Sequence, residues 1–284
     1  MNHSFVLSAD IGGTHITTAL IDEQERSILP GSQHRGLVNA QAPAEEIIHA
    51  WSSIMRQSLQ AVPGVHRVGI ALPGPFDYAA GISLIKGLHK YEALYGLNVK
   101  ELLAAALSMD VCDIRMANDA HCFLQGEIYN GAVKGEKDIT GFTLGTGFGS
   151  AVAENGIAHD AAYFNTPFLE SRAEEYFCTR WILRRYQELG GQFNPSVKAI
   201  AATAPADKAA VAVFHGFGAN LGLFISTLNP VPTHILLGGN IARTYALFAG
   251  GLQECLQAKG LQIKFSLSIL GEEAPLYGAA GIWQ

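Results

Sequence analysis

The stretch SADIGGTHITTALID, Ser8 to Asp22, runs from a β-prone segment through Gly12 and Gly13 into the alternating run Ile16 to Ile21. That pattern predicts a β-hairpin whose tight glycine turn carries an acid, Asp10, at its mouth. Glycine at the tip lets backbone N–H groups approach an anion with no Cβ in the way. Thr14 adds a hydroxyl donor, and Asp10 is placed to hold a magnesium ion through its water shell. The turn therefore reads as a phosphate cradle, although no G-x-x-x-x-G-K-[ST] occurs in the chain. The plain alternative is a glycine-rich hairpin with an acidic strand end and no ligand.

Downstream, GTGFG at Gly145 to Gly149 offers a second cradle of the same kind. Ile139 to Leu144 and Gly149 to Ala153 are expected to pair around it, so Thr146 and Gly147 gain meaning as partners of the first turn. Two opposed hairpins supplying N–H groups suit the β- and γ-phosphates of a nucleotide, and such positioning is most of what phosphoryl transfer requires. Between the hairpins lies MANDAHCFLQGEIYNGA, Met116 to Ala132. A strand is expected to end at Met116 to Asn118 and a helix to begin near Ala120. Asp119, at the junction, is either a helix N-cap or a general base for a substrate hydroxyl. Asn118 beside it is a hydrogen-bonding candidate for the same substrate. Glu127, two turns further on, reads as a brace for the helix.

The rest of the chain repeats one theme in two halves. The first half offers the hairpin, an amphipathic helix from Ala44 to Ala61, a strand from Arg67 to Leu72, a helix from Val99 to Leu107 and a strand from Val111 to Met116. The second follows GTGFG with a long helical region and a strand, Thr233 to Leu237, ending in Gly238-Gly239. Ala274 to Trp283 reads as a small-residue helix that closes the first domain. Lone strands flanked by helices, twice over, predict an α/β fold. The domains are expected at 1–117 with 272–284, and at 118–271.

Composition narrows the function classes. With 49% hydrophobic and 15% charged residues, the chain is globular and well buried. A net charge of −6 without a Lys/Arg cluster argues against nucleic acid. The apolar run Ala209 to Leu228 is broken by His215, Asn220 and glycines, so it reads as a buried helix, not a membrane span. Phe5 to Ala9 already belongs to the first strand, so no signal peptide is expected. Cys112, Cys122, Cys178 and Cys255 show neither zinc nor redox spacing and fit a reducing cytoplasm.

The chain resembles the ROK family (repressors, open reading frames and sugar kinases) of the actin-like ATPase superfamily. DIGGT matches its first phosphate motif, GIALPGP at Gly69 to Pro75 its interdomain segment, and ANDA at Ala117 to Ala120 its catalytic loop. LGTGFGSAV at Leu144 to Val152 matches its second phosphate motif, and LLGGNIA at Leu236 to Ala242 its adenosine motif. The resemblance implies two ribonuclease-H-like domains with an interdomain cleft, closing over MgATP and a small sugar, with Asp119 as the base. It places Asp10, Gly12, Gly13, Thr14, Thr146 and Gly147 at the phosphates and Gly238 and Gly239 beside the adenosine. The phosphate hairpin starts almost at Met1, which leads to the expectation of a kinase without a DNA-reading winged helix.

Departures from the family pattern fall on the sugar side. The cysteine-rich zinc loop is replaced by AENGIAHDAAYFNTPFLESRAEEYFC, Ala153 to Cys178, so no structural zinc is expected. His159 is the nearest imidazole to the family's sugar histidine and reads as an exposed loop residue. Glu170 and Glu174 both stand as the sugar-binding carboxylate, alongside Asn118 and Asp119. GLHKYEALYGLN, Gly87 to Asn98, replaces the segment carrying the family's sugar-contacting Asn. The expected activity is ATP-dependent phosphorylation of a hexose hydroxyl. The alternatives are a sugar- or nucleotide-binding regulator and a polyphosphate-dependent glucokinase. A homodimer is compatible with all three.

Overall fold

The structure, a computed structural model, describes residues 3–204 and 206–284. The chain divides into two compact units, Met1–Gly135 with Glu272–Gln284, and Glu136–Gly271.

The first unit opens with β1 (Phe5–Ile11) and β2 (His15–Asp22), the expected hairpin, with Ile11 paired to Ile16. Next come β3 (Ser27–Ile28) and β4 (His34–Leu37), both on the outer side of β2. Then follow α1 (Ala44–Leu59), β5 (Arg67–Leu72), the small hairpin β6 (Phe76–Asp77) with β7 (Ile82–Ser83), and α2 (Val99–Leu107). The unit continues through β8 (Ile114–Asn118) into α3 (Asp119–Asn130). The sheet order is β3-β2-β1-β5-β8, and β1, β5 and β8 run parallel. β5 is buried from Val68 to Leu72 without alternation, as a central parallel strand covered on both faces must be.

The second unit has the same plan. β9 (Ile139–Leu144) and β10 (Phe148–Glu154) form a hairpin, and β11 (Ile157–Asp160) adds to its outer edge. A two-residue hairpin, β12 (Pro167–Phe168) with β13 (Ser171–Arg172), precedes α4 (Thr179–Glu188), α5 (Val197–Thr203) and α6 (Lys208–Thr227). The parallel strands are β14 (His234–Gly238) and β15 (Lys264–Leu267), with α7 (Gly239–Ala242) and α8 (Tyr245–Ala258) between them. The order β11-β10-β9-β14-β15 repeats the first sheet: a hairpin, an outer antiparallel strand, then two parallel strands. α6 is long and apolar enough to cross a membrane by length and composition. Here Phe214, Phe217, Leu221, Phe224 and Ile225 make it the centre of the unit's aromatic core. Its Gly218 lies against the Phe248 carbonyl of α8, which a Cβ would meet at 2.0 Å.

The chain then returns to the first unit as α9 (Ala274–Gly281). The unit boundary falls after Gly135, not at the expected 117/118. α3 stays with the first unit because it packs along its length on α9. A Cβ at Gly278 would sit 1.7 Å from the Cys122 carbonyl, and one at Gly126 2.0 Å from that of Ala274. One further correction concerns Val111 to Met116. Val111–Asp113 forms a 3-10 turn with Val111 exposed, and the strand starts at Ile114, the first buried residue.

The α3–α9 contact fixes where Asp119 sits, because α3 begins with that residue. Gly278→Ala should therefore lower stability by about 1–3 kcal/mol, since the new methyl meets backbone that has no rotamer to yield. Urea denaturation checks this; an unchanged midpoint would contradict the close packing.

Candidate active site

Three parallel strands of the first unit end level with one another: Asp10 pairs with Ala71, and Ala71 with Ala117. In open α/β sheets the carboxyl ends of strands are where ligands bind. Asp10 lies one residue from the end of β1, and Asp119 lies two residues past Ala117. β1 and β8 are two strand spacings apart, about 10 Å. The Asp10 carboxyl is raised from its ordinary 3.8 to about 7: burial is the largest cause, the charges of Asp119 and Glu272 add to the rise, and Arg35 opposes it. Cys122, one turn along α3, is fully buried, and its thiol is pushed well above the ordinary range by burial and then by the same two aspartates. Negative charge thus dominates this end of the sheet.

The junction separates the two readings of Asp119. Asn118 is the N-cap, its side-chain oxygen accepting from the Ala120 N–H at 2.8 Å. Asp119 is the first residue of the helix, and its Oδ1 also accepts from Ala120 N–H, at 2.9 Å. The amide of Asn118 donates to the Tyr78 hydroxyl at 3.2 Å, and Tyr78 donates to the Leu72 carbonyl at 3.1 Å. Asn118 is therefore committed to capping and to Tyr78, which locks the loop that presents Asp119. At the far end of α3, buried Glu127 accepts from the Ala132 N–H at 2.7 Å, the brace read from the sequence.

The turn between β1 and β2 has its backbone groups sharply divided. Gly12 N–H donates to the His15 carbonyl at 2.9 Å, and the Thr14 carbonyl accepts from Val38 N–H at 2.9 Å. Among the described residues, the N–H groups of Gly13 and Thr14 meet no protein acceptor. A Cβ on Gly13 would find nothing within 4 Å. Two exposed adjacent donors facing open space are what an anion cradle requires.

The turn between β9 and β10 repeats this. Gly145 N–H closes it onto the Gly147 carbonyl at 3.1 Å, while Thr146 and Gly147 N–H meet no acceptor among the described residues. A Cβ on Gly145 would again find nothing within 4 Å. Thr179, the first residue of α4, pins the turn by donating N–H and hydroxyl to the Gly145 carbonyl at 2.7 and 3.0 Å. Gly238 pairs with Thr143 at the end of β9, and Gly239 has φ 84°. A Cβ there would lie 2.4 Å from the Leu144 carbonyl, so Gly239 sets how closely α7 approaches this turn.

The two candidate glutamates separate. Glu174 packs its carboxylate against Gly147, where a Cβ would lie 3.7 Å from Oε2. Glu170 is exposed at the tip of the β12–β13 hairpin. His159 is exposed on edge strand β11, not in a loop. Arg180, which no motif singled out, lies 3.6 Å from Glu174 and 3.4 Å from Glu175, and its Nη1 reaches the Thr146 carbonyl at 3.4 Å.

Among the described residues no three His, Cys, Asp or Glu side chains converge as a metal site. The shortened Ala153 to Cys178 segment is held by aromatic packing instead. Phe168 stacks edge-on to Tyr176 and Phe224 and tilts onto Phe177. Asp10 is a single carboxylate, and when ionised a ligand of that kind could hold a magnesium ion that keeps most of its water.

Fold and site together define a protein of the actin-like class: two ribonuclease-H-like units, each presenting a glycine donor turn. Residues 6–162 match the ROK family model, and the chain belongs to the ROK family. It is 28% identical over 153 residues to the N-acetyl-D-glucosamine kinase of Photobacterium profundum, a match that spans 52% of this chain but only 45% of that one. It is 26% identical to the N-acetylgalactosamine kinase AgaK of a Shewanella species, over 95% of this chain and 94% of the relative. The ROK hexokinase of Thermus thermophilus has the same fold, with TM-score 0.80 and 20% identity over 97% of this chain and 96% of that one. So does a ROK family glucokinase from Streptomyces griseus, solved with glucose and AMPPNP, with TM-score 0.75 and 21% identity over 98% and 99% of the two chains.

Proposed function

We propose that the protein is an ATP-dependent sugar kinase acting on a hexose or N-acetylhexosamine in the cytoplasm. The observation that carries this reading is the first unit's arrangement of Asp10, Asp119 and the unpartnered Gly13 and Thr14 donors at one end of the sheet. A protein that only bound a nucleotide would need the donors but not the second carboxylate. In support, kinases of N-acetylhexosamines are among its relatives, and the Streptomyces griseus glucokinase of the same fold carries glucose and an ATP analogue.

In this reading Gly12, Gly13, Thr14, Thr146 and Gly147 line the phosphates, and Gly238 and Gly239 border the adenosine. Asp119 accepts the proton of the sugar hydroxyl as its oxygen attacks the γ-phosphorus. The bond from that phosphorus to the β,γ-bridging oxygen breaks, and ADP leaves with the electron pair. Asp10 is the residue that would hold magnesium, through water, and the ion would supply positive charge to offset that of the phosphates. Asn118 orients the loop before Asp119, with one amide hydrogen left for a sugar hydroxyl.

The test is ADP release from ATP with a panel of hexoses and N-acetylhexosamines, repeated with polyphosphate as donor and with magnesium withheld. ADP release that no sugar stimulates would overturn the reading. Sugar phosphorylation from polyphosphate alone would reassign the donor.

Position favours Glu174 over Glu170 as the sugar carboxylate, because Glu174 lies against the phosphate turn. Glu174→Gln should raise the KM of the best sugar more than threefold, a loss above about 0.65 kcal/mol. Glu170→Gln should leave it within that limit. The reverse order would move the sugar to the hairpin tip.

A further inference from the structure

Tyr91 lies in the segment Gly87 to Asn98, far from either glycine turn in sequence. Yet its hydroxyl donates to the carbonyl of Gly12. Its ring is 1% exposed and meets Trp51 edge-on, with centroids 5.1 Å apart at 71°. The backbone holds it there in an uncommon conformation: Tyr91 has φ 54° and His89 φ 56°, both left-handed. Side chains other than glycine and asparagine seldom adopt that region, and where they do, surrounding contacts enforce it. Those contacts are present. Tyr91 N–H donates to the Ala40 carbonyl at 2.6 Å, and His89 N–H to the Glu92 carboxylate at 2.8 Å.

The consequence follows from peptide geometry. The carbonyl of Gly12 and the N–H of Gly13 belong to one planar trans peptide and point in opposite directions. Holding the carbonyl toward buried Tyr91 turns the Gly13 N–H the opposite way, where it meets no protein acceptor among the described residues. Glycine on both sides of that peptide would otherwise let it rotate readily. Burial raises the Tyr91 phenol to about 12, so it stays a protonated donor across the working pH range.

We propose that Tyr91 is a positioning residue for the nucleotide phosphates: its hydroxyl fixes the Gly12–Gly13 peptide so that the Gly13 N–H is aimed at the anion before it binds. This rests on the reading of the Gly12–Thr14 turn as a phosphate cradle. It also gives the altered Gly87 to Asn98 segment a role on the donor side of the reaction.

The experiment is calorimetry of ATP and of adenosine, separately, on the wild-type protein and Tyr91→Phe, with KM for ATP and for sugar measured alongside. Tyr91→Phe keeps the buried ring and removes only the donor. ATP binding should weaken about three- to tenfold, the range of one lost net hydrogen bond. Adenosine affinity and the KM for sugar should stay within twofold, a split that general loosening of the fold would not give. An ATP affinity within twofold of wild type, or equal weakening for ATP and adenosine, overturns the proposal. Wild-type protein that binds adenosine but not ATP overturns the cradle itself, and this proposal with it. Should Tyr91→Phe not fold, Trp51→Phe loosens the seat of the ring while keeping the hydroxyl. It must then weaken ATP more than adenosine, and equal effects would again overturn the assignment.

Discussion

Asp119→Asn is expected to lower kcat by about 10²–10⁴-fold, the usual contribution of a positioned general base, with ATP affinity nearly unchanged. The change preserves the side chain's volume and leaves an oxygen to accept from the Ala120 N–H, as Oδ1 does at 2.9 Å. Helix initiation should survive, because the cap is Asn118 and not Asp119. The proton acceptor and its negative charge are lost. The electrostatics argue against indirect damage to the metal side. The Asp119 charge raises the Asp10 carboxyl, so removing it lets Asp10 ionise more readily and hold magnesium at least as well. Steady-state kinetics with sugar and ATP, and calorimetry for ATP alone, check the two halves. A variant keeping more than a third of wild-type turnover would remove Asp119 from the chemistry.

How far the sequence discloses this arrangement depends on the distance over which each feature is determined. The hairpins and the twofold plan are legible because strand alternation, glycine turns and helical spacing are local. The unit boundary is misplaced because it depends on α3 packing against α9, a contact between residues such as Cys122 and Gly278 far apart in the chain. Asn118 and Asp119 are both acceptable N-caps by residue type, and only backbone geometry decides that Asn118 takes the role. Glu170 and Glu174 fit a shortened loop equally well as text. In space one sits on a hairpin tip and the other against Gly147. Tyr91 and Arg180 give no signal, because a single tyrosine or arginine near a helix start matches no pattern. Each gains meaning only through a carbonyl of a glycine turn it reaches, that of Gly12 or Thr146.

Gly13→Val should reduce ATP affinity by about 100-fold or more while the protein stays folded. Each charge-assisted hydrogen bond to phosphate is worth roughly 1.5–3 kcal/mol, and two adjacent donors are at stake, so losing both exceeds the threshold of about 2.8 kcal/mol that a factor of 100 represents. Valine is expected to be tolerated because a Cβ at Gly13 meets no atom within 4 Å, and Gly13 is not among the glycines held at positive φ. Its branches would occupy the space in front of the Gly13 and Thr14 N–H groups. Gly239→Val is the informative contrast. There φ is 84° and a Cβ would lie 2.4 Å from the Leu144 carbonyl, so that variant should lose stability. Thermal melts separate the two: Gly13→Val should melt within a few degrees of wild type, and Gly239→Val well below it. Calorimetry on folded Gly13→Val then decides the role of the turn. Unchanged ATP affinity would mean that the open space in front of Gly13 is not where the phosphates lie, and the cradle would have to be sought elsewhere.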